Sequence, residues 1–179
     1  MVQEWCANGP TRALGVELEK HESIPDKDID EYAALFNKVI NQQHVEESED
    51  HQFVTVESHR AADKTLHSRG YEWINIFSRE SDGKISGFTE ILYNPAEPQK
   101  IHQNLTGVKK EYRGRGLGKW LKSEMLLLIK ERYTKAIFIV TGNSDANTPM
   151  LAINKTLGFK RAYEGTLYQF QVKSIQEIL

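Results

Sequence analysis

From residue 113 to residue 122 the chain reads Arg113-Gly-Arg-Gly-Leu-Gly-Lys-Trp-Leu-Lys122. Glycines stand at 114, 116 and 118, and Leu117, Leu121, Met125, Leu128 and Ile129 follow at helical spacing. The spacing predicts a loop that runs directly into an amphipathic helix, Gly116 to Tyr133. Glycine leaves room where a backbone must approach something closely. The first N–H groups of a helix lack partners, and its dipole is positive at that end. Together these features make an anion cradle that suits a pyrophosphate, and Arg113, Arg115 and Lys119 add charge-assisted hydrogen bonds. Two other phosphate loops are excluded by spacing. A dinucleotide fingerprint places glycines at relative positions one, three and six, whereas here they fall at one, three and five; a P-loop needs Gly-Lys-Ser/Thr, which is missing.

The 179-residue chain carries a formal net charge of −2, unevenly spread. Residues 1–50 hold four basic and twelve acidic side chains, while residues 100–122 hold seven basic ones (Lys100, Lys109, Lys110, Arg113, Arg115, Lys119 and Lys122) against Glu111. Such local concentration points to one small polyanionic ligand, not to a nucleic acid, which calls for a wider basic face. The composition, 39% apolar and 27% charged, is that of a soluble globular domain. No apolar run reaches the ~20 residues of a membrane span, so no membrane partner is expected. The start MVQEWCANGP has neither a basic start nor an apolar run, so no secretory signal is expected, and the single Cys6 builds neither an internal disulfide nor a zinc site. A cytoplasmic protein without a metal is therefore expected. The carboxylates of His44 to His51 (HVEESEDH) read as a solvated loop.

Outward from the glycine loop, the pattern predicts strand Gly15–Glu22 after a turn at Asn8-Gly9-Pro10. A helix enters through Ile24-Pro25-Asp26 and carries Tyr32, Leu35, Phe36, Val39 and Ile40. A second helix runs from a Ser58 cap to a Gly70 stop. A hairpin, Tyr71–Arg79 and Ile85–Tyr93, turns at Ser81-Asp82-Gly83-Lys84. Strand Ile101–Val108, the helix at 116, strand Ala136–Val140, helix Asp145–Leu157 and strands Phe159–Tyr163 and Leu167–Val172 complete the chain. The order is β-α-α-β-β-β-α-β-α-β-β, an α+β pattern of seven strands and four helices. Residues 1–13 read as an N-terminal arm or linker, and 14–179 as one domain.

Arg113-x-x-Gly116-x-Gly118 resembles the acetyl-CoA pyrophosphate loop of the GNAT N-acetyltransferase superfamily. A second block, Asn147-Thr-Pro-Met-Leu-Ala-Ile-Asn-Lys-Thr-Leu-Gly-Phe159, resembles that family's next helix, which begins at an Asn and ends at Leu-Gly-Phe. Thr106-Gly107-Val108, RGRGLGKWLK and TGNSDANTPMLAIN are similar to tandem or mycothiol-synthase-like members. The resemblance implies a GNAT fold, a mixed and mostly antiparallel sheet whose fourth and fifth strands splay to admit acetyl-CoA. It implies that Thr106, Gly107 and Val108 pair with the pantetheine arm. Gly114, Arg115, Gly116, Leu117 and Gly118 would hold the pyrophosphate with backbone N–H groups, and Arg113, Arg115 or Lys119 would reach phosphates. Asn147, and less directly Asn143, would bond the cofactor arm; helix capping and turn formation are the alternatives for both.

The implied reaction is acetyl transfer to the primary amine of a small molecule within a ternary complex. The partner would be a homodimer mate or a second GNAT domain. A general base must take the amine's proton, and Glu90, in the strand beside the fourth, is the candidate. An exposed strand-face glutamate is the alternative, and His102 is the runner-up base. The Val108 N–H is the implied oxyanion donor. The family's usual tyrosine acid falls at Asn154, and an amide delivers no proton. Tyr163 or Tyr168 would then serve, departure would need no acid, or the domain would be a non-catalytic CoA-binding or regulatory module.

Overall fold

The computed structural model describes residues 1–43 and 53–166. The elements run α1 (Val2–Arg12), β1 (Glu17–His21), α2 (Ile29–Gln43), α3 (Val56–Ser68), β2 (Glu72–Arg79), β3 (Ile85–Tyr93), β4 (Lys100–Val108), α4 (Leu117–Arg132), β5 (Phe138–Val140) and α5 (Thr148–Thr156). A single 3-10 turn, Lys110–Tyr112, leads from β4 into the glycine loop. The sheet order is β1-β2-β3-β4-β5, with antiparallel pairing through β4 and a parallel β4–β5 pair.

Period-two alternation along β2 and β3 sends side chains to two covered faces. Ile74, Ile76 and Ile91 meet Leu121, Met125, Leu128 and Ile129 of α4. On the other face Phe77, Ile85 and Phe88 pack with Tyr32, Leu35 and Val39 of α2. Glu90 alternates with Ile91 and therefore belongs to the α2 face. The parallel pairing of β5 is confined to Lys100, Ile101 and His102. From Gln103 to Val108 the far edge of β4 has no strand partner among the described residues. The two strands thus part just before the glycine loop.

Several boundaries differ from expectation. The turn expected at Asn8-Gly9-Pro10 lies inside α1. Packing overrides local propensity here, because α1 rests on α4 so closely that a Cβ at Gly9 would lie 2.2 Å from the Trp120 ring. The first long helix begins at Ile29, since Pro25 to Asp28 form a separate turn. Ser58 is not the cap of α3. Thr55 is, and Thr55 and Ser58 exchange the two bonds of a capping box. The last helix starts at Thr148, not at Asp145. Phe159–Tyr163 is not a strand; Arg161 turns to Asp145 and Glu164, and residues 160–166 are exposed. Among the described residues the sheet therefore has five strands, with five helices around it. The acidic segment 44–51, strand Leu167–Val172 and Tyr168 lie outside the described residues. No described helix is long and apolar enough to cross a membrane.

Candidate active site

The glycine loop adopts the conformation its composition suggests. Gly114 has φ +81° and Gly116 φ +83°, values that L side chains seldom take. Gly116 is the N-cap of α4 and offers no side-chain cap. The N–H groups of Gly114, Arg115 and Gly116 find no acceptor among the described residues, and those of Leu117 and Gly118 open the helix. No acidic residue lies in the first turn of α4. The result is a row of unclaimed donors at the positive end of a 16-residue helix, a set that fits the pyrophosphate of acetyl-CoA.

The basic candidates are not equivalent. Arg115 is engaged by Glu80, with Nη1 donating to Oε1 at 2.8 Å and Oε2 at 2.9 Å. Arg113 is exposed, and its Nε donates to the Val108 carbonyl at 3.1 Å. The Lys119 ammonium lies 5.0 Å from the centre of the Trp5 ring of α1. Arg12, at the end of α1, is a cation the sequence reading passed over. Its guanidinium lies beside the loop, 3.5 Å from where a Gly116 Cβ would stand.

The open edge of β4 can be read from its ladder. Lys109 N–H donates to the Ser86 carbonyl at 2.8 Å, and Gly87 stands opposite Val108. Val108 is thus a non-hydrogen-bonded ladder position, and its own N–H and C=O point away from β3. Those of Thr106, two residues earlier, do the same. Gly107 differs, since its backbone groups face Phe88 of β3. Its lack of a side chain serves packing, because a Cβ would lie 2.2 Å from Val39 Cγ2.

Glu90 is buried on the α2 face at 2% exposure. Tyr32 Oη donates to Oε2 at 2.8 Å and Trp73 Nε1 donates to the same oxygen at 3.1 Å. Burial raises its pKa to about 7, against the lowering effects of Tyr32, Trp73 and the Leu105 N–H. Between the pairs Thr89–Thr106 and Ile91–Gln103, β4 carries one residue more than β3, a bulge opposite Glu90. Gln103 Nε2 braces the bulge by donating to the Glu90 carbonyl at 2.8 Å. His59 of α3 completes the cluster, 5.1 Å from the Tyr32 ring and 4.7 Å from that of Trp73. Desolvation lowers its pKa, which favours the neutral imidazole. The exposed-glutamate alternative is thereby removed. His102, by contrast, is exposed and stands opposite Leu92 and Val140.

The asparagines serve structure as well. Asn147 caps α5, its Oδ1 accepting from Met150 N–H at 3.3 Å. Asn143 Oδ1 accepts from Asn154 Nδ2 at 2.6 Å. Tyr163 is 86% exposed. Phe77 and Trp120 are core residues, Trp120 donating to Glu124 Oε1 at 3.1 Å. Glu19, His21 and Asp28 converge, but Arg79 donates to both carboxylates, at 2.7 and 2.9 Å.

Residues 36–159 match the acetyltransferase (GNAT) family, and the chain belongs to it. No curated protein matches the chain. Solved structures share the fold. A tandem GNAT protein from the clavulanic acid biosynthesis pathway superposes with TM-score 0.68 at 24% identity over 82% of this chain, which spans only 42% of that protein. An aminoglycoside N-acetyltransferase in complex with CoA gives TM-score 0.59 at 13% identity, covering 87% of this chain and 95% of that one. An N-acetyltransferase from Staphylococcus aureus Mu50 gives 0.61 at 19% identity, covering 82% and 86%.

Proposed function

We propose that the chain is an acetyl-CoA-dependent N-acetyltransferase that acts on the primary amine of a small molecule by direct transfer. The observation that carries this reading is a juxtaposition. The edge of β4 that no described strand covers, with Thr106 and Val108 facing outward, leads through one 3-10 turn into the uncapped start of α4. An extended arm ending in a pyrophosphate needs these two surfaces in that order. When bound there, acetyl-CoA supplies the activated acetyl group.

The chain's own residues would supply the rest. Gly114 to Gly118 would bind the pyrophosphate through backbone N–H groups, with Arg12, Arg113 and Lys119 adding positive charge. Val108 N–H would hold the carbonyl oxygen as negative charge develops there. Glu90, with its pKa near 7, would accept the amine's proton near neutral pH. The aminoglycoside acetyltransferase is named for an amine-bearing small-molecule acceptor, and this supports an amine for the present chain. A cytoplasmic setting is in keeping with the single cysteine, and the proposed reaction calls on no metal. Residues 14–179 are taken as the acetyltransferase domain, with the arm 1–13 lying against α4 and lending Arg12 to its loop.

Calorimetric titration with acetyl-CoA tests the reading, with Gly118→Glu as the control. A Cβ at Gly118 makes only ordinary contacts, 3.6 Å to Ile153 and 4.0 Å to Val108, and an acid at a helix start favours the helix. The variant should fold yet bind at least ~100-fold more weakly. Equal affinity in the two proteins would refute the assignment of the loop.

A second reading, a CoA-binding module without turnover, is favoured by Asn154 at the expected tyrosine position and by the fraction of the tandem protein that this chain spans. Thiol release from acetyl-CoA across a panel of primary amines separates the two readings.

A further inference from the structure

Lys122 is the most deeply buried cation among the described residues, at 1% exposure. Its Nζ donates to Asn154 Oδ1 at 2.7 Å and lies 5.3 Å from the centre of the Phe159 ring. No described carboxylate lies within ion-pair distance of it. Its described partners are neutral, Asn154 of α5 and Phe159, and Asn154 is held in turn by Asn143 from the segment after β5. Charged neighbours in sequence turn elsewhere; Lys119 lies over Trp5, and Lys155 and Lys160 are exposed. A buried ammonium that no described residue balances in charge is costly, and a fold that retains one leaves it ready to meet an anion.

Its position says which anion. A Cβ at Gly118 would lie 3.6 Å from Ile153 of α5 and 4.0 Å from Val108 of β4, so that face of α4 looks into the parting of β4 and β5. Lys122 lies one helical turn further along the same face. Asn154 follows Ile153, and Asn143 stands three residues beyond the end of β5. Lys122 therefore sits at the inner end of the gap, beyond the pyrophosphate loop, where the reacting end of an arm threaded along β4 would lie.

We propose that Lys122, held by Asn154 and through it by Asn143, stabilises and protonates the departing thiolate of CoA, taking the place of a tyrosine acid. The proposal rests on the acetyl-CoA reading above. The amine nitrogen bonds to the carbonyl carbon, the carbon–sulfur bond breaks, and its electron pair goes to sulfur. Lys122 gives one ammonium proton to that sulfur, and the resulting neutral amine regains a proton from water. The proton lost by the substrate amine passes to Glu90. One N–H and one C–S bond are exchanged for one N–C and one S–H bond. Burial lowers the Lys122 pKa to about 8, near the ~8.5 of an ordinary thiol, so the transfer is close to balanced.

The test follows the ionisation of CoA bound to the whole chain, through the ultraviolet absorbance of its thiolate during a pH titration. In the wild type the bound thiol should ionise at least one pH unit below that of free CoA. In Lys122→Met, which fills the same space without charge, that lowering should vanish while CoA affinity stays within a few-fold. Lys122→Arg should retain it, because the charge remains. Two results would overturn the proposal and leave the cofactor reading standing: a wild-type thiol that titrates as free CoA does, or equal titration in wild type and Lys122→Met. The first needs no variant to fold. Failure of the wild type to bind CoA at all would overturn both.

Discussion

Two buried charges stand on opposite sides of the sheet, and their settings differ. Glu90, on the α2 face, is enclosed by donors from three elements: Tyr32 of α2, Trp73 of β2 and the Leu105 N–H of β4. Lys122, on the α4 side, has one amide and one aromatic ring. Desolvation drives the carboxylate up to about 7 and the ammonium down to about 8. The two groups are thus brought from opposite ends of the pH scale to the neutral range, where in the proposed reaction one would accept a proton as the other gives one. A fold optimised for stability alone would bury neither charge.

The comparison can be broken most sharply at Glu90. Glu90→Gln keeps an acceptor for Tyr32 and Trp73 but cannot take a proton. In a thiol-release assay kcat should fall about 10³-fold, with little change in KM for acetyl-CoA. An unchanged kcat would remove Glu90 from the chemistry.

At Lys122 the expected effects on rate and stability have opposite signs. Lys122→Met should lower kcat about 100-fold and yet raise stability at pH 7 by about 3 kcal/mol, as measured by urea unfolding. The sign follows from linkage. A lysine whose pKa falls from 10.5 to about 8 on folding costs the native state nothing above pH 10.5. The cost grows as pH falls towards 8 and then levels off. The gain from Lys122→Met should therefore shrink as pH rises from 8 to 10.5. Glu90 behaves in the opposite way. Its raised pKa favours the native state at low pH, and that advantage is lost as pH rises through about 7.

A smaller effect is expected in the pH dependence itself. Rate should pass through a narrow maximum between about 7, where Glu90 ionises, and about 8, where Lys122 loses its proton. Tyr32→Phe removes a bond that holds the Glu90 pKa down, so the acid limb should move up by about one pH unit. Thr55→Ala, at a residue that bonds to neither charge, should cost only about 1 kcal/mol through the capping box of α3 and leave the pH profile unmoved.

Much of this was legible in the sequence, and unevenly so. The glycine loop, the helix behind it and the β2–β3 hairpin were readable because their signals are local: φ-permissive glycines, apolar spacing and turn residues. Glu90 stood out as a carboxylate in mid-strand. Tyr32 and His59 did not, because they join Glu90 only when α2 and α3 fold over the sheet. Lys122 was counted within the basic window, since nothing beside it in the chain announces burial. Its partner Asn154 lies 32 residues away. The same limit applies to residues 1–12. Gly9-Pro10 reads as a turn until the Trp120 ring, far along the chain, fills the space beside Gly9.

The central claim is that acetyl-CoA lies along the open edge of β4 with its pyrophosphate at the start of α4. Amide hydrogen exchange, measured residue by residue with and without acetyl-CoA, tests it most directly. Slowed exchange centred on Thr106, Val108 and residues 114–118 is the predicted result. Saturating acetyl-CoA that leaves those amides unchanged, or protects a different region, would contradict the account.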